Sequence, residues 1–318
     1  MSGFPSIALI GIHTEAEAPF RFLFESGEQI AGLVTLTRER AAGVSGAVDF
    51  EPMAREFHVP FLRTSNVNSP ECEAWLRKLE PDLLLVVGWT QLLKEPLLRL
   101  PKVAALGFHA SLLPYYRGRA PVNWAIINGE KETGNTMIVL EPGADEGDIV
   151  AQRRIPIGES DTCATIYRQV GQTEVDMLAE VLPIIRNGSL PRRKQDPSEV
   201  TVMPKRRPED GLIKWAKSAY QLHNWVRALT HPYPGAFTYS PSTGRERRVW
   251  IWSAMPADLP IEGAVPGLVL KDPEGWPVVV TGCGGIRLLS VEAEGEPEVP
   301  GCHAWGRLIQ PGMIFEAE

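Results

Sequence analysis

The chain has 318 residues, enough for about two domains at roughly 150 residues each. It is 44% hydrophobic and 22% charged, and its 29 glycines and 28 prolines follow no collagen-like period, which excludes disordered and fibrous classes. With 32 basic against 39 acidic residues the formal charge is −7, which excludes a broad basic surface for non-specific nucleic-acid binding while leaving room for a local patch.

Along the N-terminal half, short apolar runs alternate with helical patterns. Ile7–Ile12 and Ile30–Leu36 read as strands, with a helix over Ala18–Phe24 between them that Ser26-Gly27 closes. A second helix is predicted at Met53–Phe57, a strand at Val59–Leu62, a third helix at Glu71–Leu79 and a strand at Leu83–Val87. A strand around Val103–Leu106 leads to Pro121, which can open a helix burying Val122, Ala125 and Ile126. Residues 132–140 read as turn then strand. After Asp161-Thr162 a long helix is predicted, with Leu178, Val181, Leu182 and Ile185 on one face and Asn187-Gly188 at its end. Strand–helix alternation of this kind implies α/β architecture: a Rossmann-like, mostly parallel sheet with flanking helices. Ligands then bind beyond the carboxyl ends of the strands, which directs attention to the loops after Ile12, Val87 and Leu140.

Residues 191–207, basic and proline-punctuated without apolar periodicity, read as a linker between a catalytic domain at 1–190 and a second domain at 208–318. That second domain opens with a helix carrying Ala219, Leu222, Val226 and Leu229. It continues in short alternating runs, Arg248–Trp252, Pro277–Thr281 and Ile286–Val291, expected to form a small OB-like antiparallel β-barrel.

The longest aliphatic run, Leu83–Val87, is far short of the ~18 residues that cross a bilayer, so no membrane association is expected. The opening MSGFPSIALIG carries neither a basic n-region nor a small-residue cleavage site, so no secretory leader is expected. Cys72, Cys163, Cys283 and Cys302 form no C-x-x-C pair. They predict no disulfide framework and fit a reducing, cytoplasmic compartment. His303 beside Cys302 is a ligand pair without two companions, so no metal is expected.

P-loop, G-x-G-x-x-G and G-x-S-x-G signatures are absent. The informative stretch is 107–121, GFHASLLPYYRGRAP, which places His109 at a strand end. A second is the acidic glycine loop Glu141-Pro142-Gly143-Ala144-Asp145-Glu146-Gly147-Asp148. If both preceding strands share a sheet, His109 and Asp145 emerge at one edge, and a carboxylate beside an imidazole is a general-base assembly near neutral pH.

HASLLP, RGRAP and GADEGD together resemble the folate-dependent formyltransferase family, and the similarity extends through Lys205–Asp210 and His231–Phe237 over nearly the whole chain. Its C-terminal part is similar to that of two long branches. One acts on methionyl-tRNA; the other is the formyltransferase half of the enzyme that modifies UDP-4-amino-4-deoxy-arabinose. The resemblance implies formyl transfer from 10-formyltetrahydrofolate to a primary amine, with His109 and Asp145 as catalytic residues. It implies that Val87, Gly88, Trp89, Thr90, Gly143 and Ala144 hold the folate donor, and that Ser111, Tyr116, Arg117 and Arg119 bind the acceptor. The family's oxyanion-stabilising asparagine falls on Gly107, a departure that leaves three readings: another donor replaces it, the substrate differs, or the protein is a weakened or non-catalytic relative. Asn123, Asn135 and Thr136 are the replacement donors considered, with Thr136 sharing the site's face.

The basic loop of the tRNA branch is not evident at 38–51, which has two basic and three acidic residues. Tyr116–Trp124 and His231–Gly235 resemble the amino-sugar branch more closely. Arg117 and Arg119 offer forked donors for a phosphate or carboxylate. The expected acceptor is therefore a small anionic amine, a nucleotide-linked amino sugar, with methionyl-tRNA as the alternative.

Overall fold

The computed structural model describes residues 5–242, 245–258 and 263–315. Residues 1–4, at the start of the stretch read for a leader, lie outside the described residues. Two compact units divide the chain. One comprises residues 1–121, 132–156 and 165–204; the other comprises 122–131, 157–164 and 205–318. The second unit thus takes two insertions from the N-terminal half, so neither unit is a single contiguous segment.

In the first unit, chain order gives β1 (Ile7–Gly11), α1 (Glu17–Glu25), β2 (Ile30–Leu36), α2 (Arg38–Ala41), α3 (Glu51–Glu56), β3 (Phe61–Thr64), α4 (Pro70–Lys78) and β4 (Leu83–Val87). There follow α5 (Glu95–Leu98), β5 (Ala104–His109), the two-residue β6 (Arg117–Gly118), α6 (Pro121–Ile127), which from Val122 on belongs to the second unit, β7 (Glu132–Val139), β8 (Ile149–Pro156), the long α7 (Cys163–Arg186), in this unit from Thr165 on, and β9 (Val202–Met203). Seven strands form one sheet in the order β3-β2-β1-β4-β5-β7-β8, and β6 pairs with β9 separately. The first four pairings are parallel, whereas β7 and β8 are antiparallel additions. The mostly parallel sheet read from the alternation is present, and the order turns back between β1 and β4.

Side chains of successive strand residues point to opposite faces. Ile7, Leu9, Leu83, Leu85 and Val87 therefore join one core with Phe20, Leu23 and Phe24 of α1 and Met177, Leu178, Val181, Leu182 and Ile185 of α7. The alternate residues Ala8, Ile10, Leu84 and Val86 join the other core with Cys72 and Leu76 of α4 and Leu97 of α5. Burial on both faces explains why these strands read as unbroken apolar runs. Helix α4 illustrates the local logic: Ser69 caps it by accepting from the Cys72 N–H, Pro70 opens it, Glu71 and Glu73 occupy the first turn, and Arg77 and Lys78 the last.

Residues 191–204 depart from the expected linker. Arg193 exchanges both main-chain hydrogen bonds with Ile149, and Val202–Met203 pair in parallel with Arg117–Gly118. Backbone bonding to distant loops supplies the order that local periodicity lacks.

The second unit contains α8 (Ala219–Leu229), β10 (Ala236–Ser242), β11 (Arg245–Ala257), β12 (Val269–Lys271), β13 (Pro277–Val280), β14 (Gly285–Ala293) and β15 (Val299–Pro300). Its strands pair antiparallel in the order β10-β11-β14-β13-β12, with β15 on β14. The expected antiparallel β domain is thus present; among the described residues the order is an open path, with β10 and β12 as its ends. Helix α8 carries a reciprocal cap between Ser218 and Gln221, and Ala219, Leu222, Val226 and Leu229 are buried as their spacing predicts. Arg206, in the basic run before this unit's helix, is sandwiched between the Trp124 and Trp225 rings at 5.0 and 4.7 Å. Burial lowers its pKa.

No helix among the described residues is long and apolar enough to cross a membrane.

Candidate active site

His109 is the last residue of β5 and is 7% exposed. Its Nδ1 lies 3.4 Å from Asp145 Oδ1, and its Nε2 lies 2.7 Å from the Tyr116 carbonyl oxygen. Asp145 Oδ2 accepts the Gly118 N–H at 2.8 Å. Asp145 itself has φ +57°, a left-handed conformation that aspartate tolerates better than most residues. The two chemical residues picked from sequence are therefore in contact.

They do not meet because their strands run side by side in one direction. β7 is antiparallel to β5, with Thr136 opposite His109 and Val139 opposite Leu106. The loop after β7 thus starts near the opposite end of β5 and must fold back along the sheet. Leu140 marks its path: an ideal Cβ on Gly107 would lie 2.7 Å from Leu140 Cδ2. Gly107 leaves room for that side chain, on the same sheet face as His109 two residues later.

The three replacement donors are all committed. Thr136 Oγ1 donates to the Ser111 carbonyl at 2.6 Å while accepting from the Leu113 N–H and Gln152 Nε2. It shares the site's edge, as its strand position predicts, but its hydrogen fixes the 111–113 turn. Asn135 faces the opposite way and donates to the Val170 carbonyl, Thr173 and Glu174 on α7. Asn123 donates to the Ala228 carbonyl at 2.6 Å.

The expected acceptor residues form a tied loop. Ser111 Oγ donates to the Tyr115 carbonyl, and Tyr116, at φ +59°, gives its N–H to Thr201 Oγ1 at 2.8 Å. Arg117 donates through Nε and Nη2 to Gln195 Oε1, at 3.1 and 2.8 Å. Arg119 Nη2 donates to the Thr90 carbonyl at 3.0 Å, joining this loop to the one after β4. Gly118, at φ +99°, packs so tightly that a Cβ would sit 2.6 Å from the Met203 carbonyl. Gln195 and Thr201, 78 and 85 residues from their partners, carry no local signal that marks them as site residues.

In the loop after β4, Val87 is buried and Gly88 has φ +57°. The Trp89 Nε1–H is buried with no hydrogen-bond partner among the described residues. Gly143 lies under the Glu146 carboxylate. Beneath this loop, burial pushes Glu15 up to about 7 and His13 down to about 4. Glu174, fully buried, is raised by burial first and by the Glu15 charge second. No cluster of three or more potential metal-ligating side chains occurs among the described residues.

The formyl transferase family model matches residues 24–182, and the formyl transferase C-terminal domain model matches residues 205–306. The methionyl-tRNA formyltransferase of Geobacter sulfurreducens is 35% identical over 298 residues, 92% of this chain and 91% of its own. HypX from Aquifex aeolicus, solved in complex with tetrahydrofolic acid, superposes with a TM-score of 0.68 at 19% identity. The match covers 96% of this chain and 48% of that one, so this chain spans about half the length of HypX. WlaRD, a sugar 3N-formyl transferase solved with dTDP and 5-N-formyl-THF, superposes with a TM-score of 0.66 at 18% identity, covering 93% of this chain and 100% of its own. These two likenesses describe the fold.

Proposed function

This chain belongs to the formyl transferase family, and we propose that it carries a formyl group from 10-formyltetrahydrofolate to the amine of methionyl-tRNA. The observation that carries the chemistry is the contact between His109 and Asp145 in a buried, loop-covered site. The folate supplies an activated formyl group on nitrogen. Val87–Thr90 with Gly143 and Ala144 would hold it, and the partnerless Trp89 Nε1–H is a donor suited to the polar edge of its ring. His109 takes the proton that the attacking amine must lose, while Asp145 orients the ring and supports its charged form. Accepting that proton at Nε2 requires the ring to part from the Tyr116 carbonyl.

On the acceptor, the amino-sugar expectation from Tyr116–Trp124 and His231–Gly235 gives way. A methionyl-tRNA formyltransferase matches across both units at 35% identity, which supports the tRNA reading above the sugar reading. One observation keeps a small anionic amine as the second reading. In the 38–51 loop and beside it, Arg38 lies 3.6 Å from both Asp49 and Glu51, and Arg63 binds the same two carboxylates at 2.5 and 2.9 Å. Those cations already have carboxylate partners, which a phosphate backbone would have to displace.

The test is formyl transfer to charged initiator tRNA and to nucleotide-linked amino sugars, each across a salt series. Phosphate contacts release counterions, so transfer to tRNA should fall steeply with salt. Turnover with a sugar amine, a flat salt response and none with tRNA would replace the acceptor; no transfer to any amine would reject formyl transfer.

A further inference from the structure

Gln195 lies in the segment 191–207 read as a linker, yet its side chain reaches both loops that converge on His109. Its Oε1 accepts from Arg117 Nε and Nη2 at 3.1 and 2.8 Å, and its Nε2 donates to the Asp145 and Gly147 carbonyls, each at 2.8 Å. A guanidinium only donates and a carbonyl only accepts, so the orientation of this amide is unambiguous. Both hydrogens and both lone pairs of the amide are used. No other natural side chain of this length presents two acceptor lone pairs at one end and two donors at the other: glutamate lacks the donors, lysine the acceptor, and asparagine is one methylene short.

The two groups it joins hold the catalytic histidine from opposite sides. Asp145 faces Nδ1 at 3.4 Å, and Tyr116, the residue before Arg117, faces Nε2 at 2.7 Å through its carbonyl. Thr201 and β9 attach the same segment to Tyr116 and Arg117 through main-chain hydrogen bonds and the Thr201 hydroxyl. We propose that Gln195 is a positioning residue for formyl transfer: it sets the Asp145 loop in register with the Arg117 loop and thereby the placement of both groups on His109. The proposal rests on formyl transfer being the reaction of this site.

Two substitutions separate its two ends. Gln195→Glu keeps the acceptor for Arg117 but turns an oxygen toward the Asp145 and Gly147 carbonyls, so only the Asp145 loop is released. Gln195→Met keeps the shape and releases both loops. Displacing a catalytic group by about 1 Å can cost on the order of 100-fold in rate. Gln195→Glu should therefore lower kcat by roughly 10- to 100-fold while acceptor KM stays within about twofold, and Gln195→Met should lower kcat and raise acceptor KM. The ring-nitrogen NMR shifts of His109, which report the hydrogen bond at each nitrogen, should change in both variants, with thermal unfolding recorded alongside. Wild-type kcat and unchanged ring shifts in either folded variant would overturn the proposal. So would equal kcat and KM changes in both variants that track lost thermal stability. If Gln195→Met does not fold, the kcat–KM split in Gln195→Glu decides alone. Because the NMR arm needs no turnover, wild-type protein that transfers no formyl group rejects the reaction, whereas unchanged ring shifts reject the positioning.

Discussion

The Tyr116 carbonyl oxygen lies 2.7 Å from His109 Nε2, on the opposite side of the ring from Asp145. A carbonyl cannot donate, so Nε2 carries the hydrogen in this arrangement. Neutral His109 then turns the Nδ1 lone pair toward the carboxylate, whereas the imidazolium satisfies both neighbours.

His109→Ala removes the proposed base with little loss of core volume. Formyl transfer should fall by about 10²–10⁴-fold, the usual value of a positioned acid–base group, with folate affinity and fold retained. Steady-state transfer and folate titration of the same sample check it; residual turnover within threefold of wild type would return His109 to a structural role.

Asp145→Asn locks the tautomer that the Tyr116 carbonyl already favours. With its carbonyl oxygen kept on the Gly118 N–H, the new amide would donate to His109 Nδ1 and hold the hydrogen on Nε2, where a base needs a lone pair. A loss of about 10² or more in kcat is expected by analogy with the orienting carboxylate of a triad. Retained activity would leave Asp145 as a turn residue whose left-handed backbone suits the loop.

Gly107→Asn restores the family's amide but meets Leu140, whose Cδ2 would lie 2.7 Å from the new Cβ. Overpacking of this kind costs about 1–3 kcal/mol, so the single substitution should lower both stability and turnover. Adding Leu140→Ala relieves the contact. Turnover of the double variant should then exceed that of Leu140→Ala alone by on the order of 10-fold, the value of one oxyanion donor at the low end. Equal turnover would mean that the site already stabilises the oxyanion by another group.

The sequence disclosed what local chemistry encodes. Leu83–Val87 is the observed β4, Pro121 opens α6, and the apolar spacing of Leu178–Ile185 marks the buried face of α7. The distinctive motifs around His109 and Asp145 were legible, and the structure brings those two side chains into contact. The antiparallel turn of β7 was not, since strand direction depends on which neighbour a strand finds. The contacts of Gln195 and Thr201 were also hidden: their partners lie 78 to 85 residues away, and neither polar residue sits in a periodic pattern. Thr136 lies on the face its strand position predicts, but its hydroxyl is spent on the Ser111 carbonyl, a contact no local pattern encodes.

The buried acids beneath the β4 loop make stability depend on pH in a definite direction. Glu15 titrates at about 7 when folded against 4.5 otherwise, so the unfolded chain releases that proton first and stability falls as pH rises from 4.5 through 7. Glu174 acts in the same sense, raised by burial and by the Glu15 charge, with its Oε1 accepting only a 3.4 Å bond from Asn135 Nδ2. His13 opposes them at the acid end: at about 4 folded against 6.5 otherwise, it costs stability as pH falls from 6.5 through 4. Glu174→Gln keeps an acceptor for Asn135 and cannot ionise. It should therefore raise the thermal midpoint at pH 8 by several degrees, since about 1 kcal/mol moves a chain of this size by roughly 2 °C or more. The gain should shrink as pH falls and be smallest at pH 4.5, where wild-type Glu174 is protonated in the fold and half protonated in the unfolded chain. Unfolding followed at pH 4.5, 6 and 8 for both proteins checks it, and a difference that stays constant with pH would mean that Glu174 does not keep its proton in the fold.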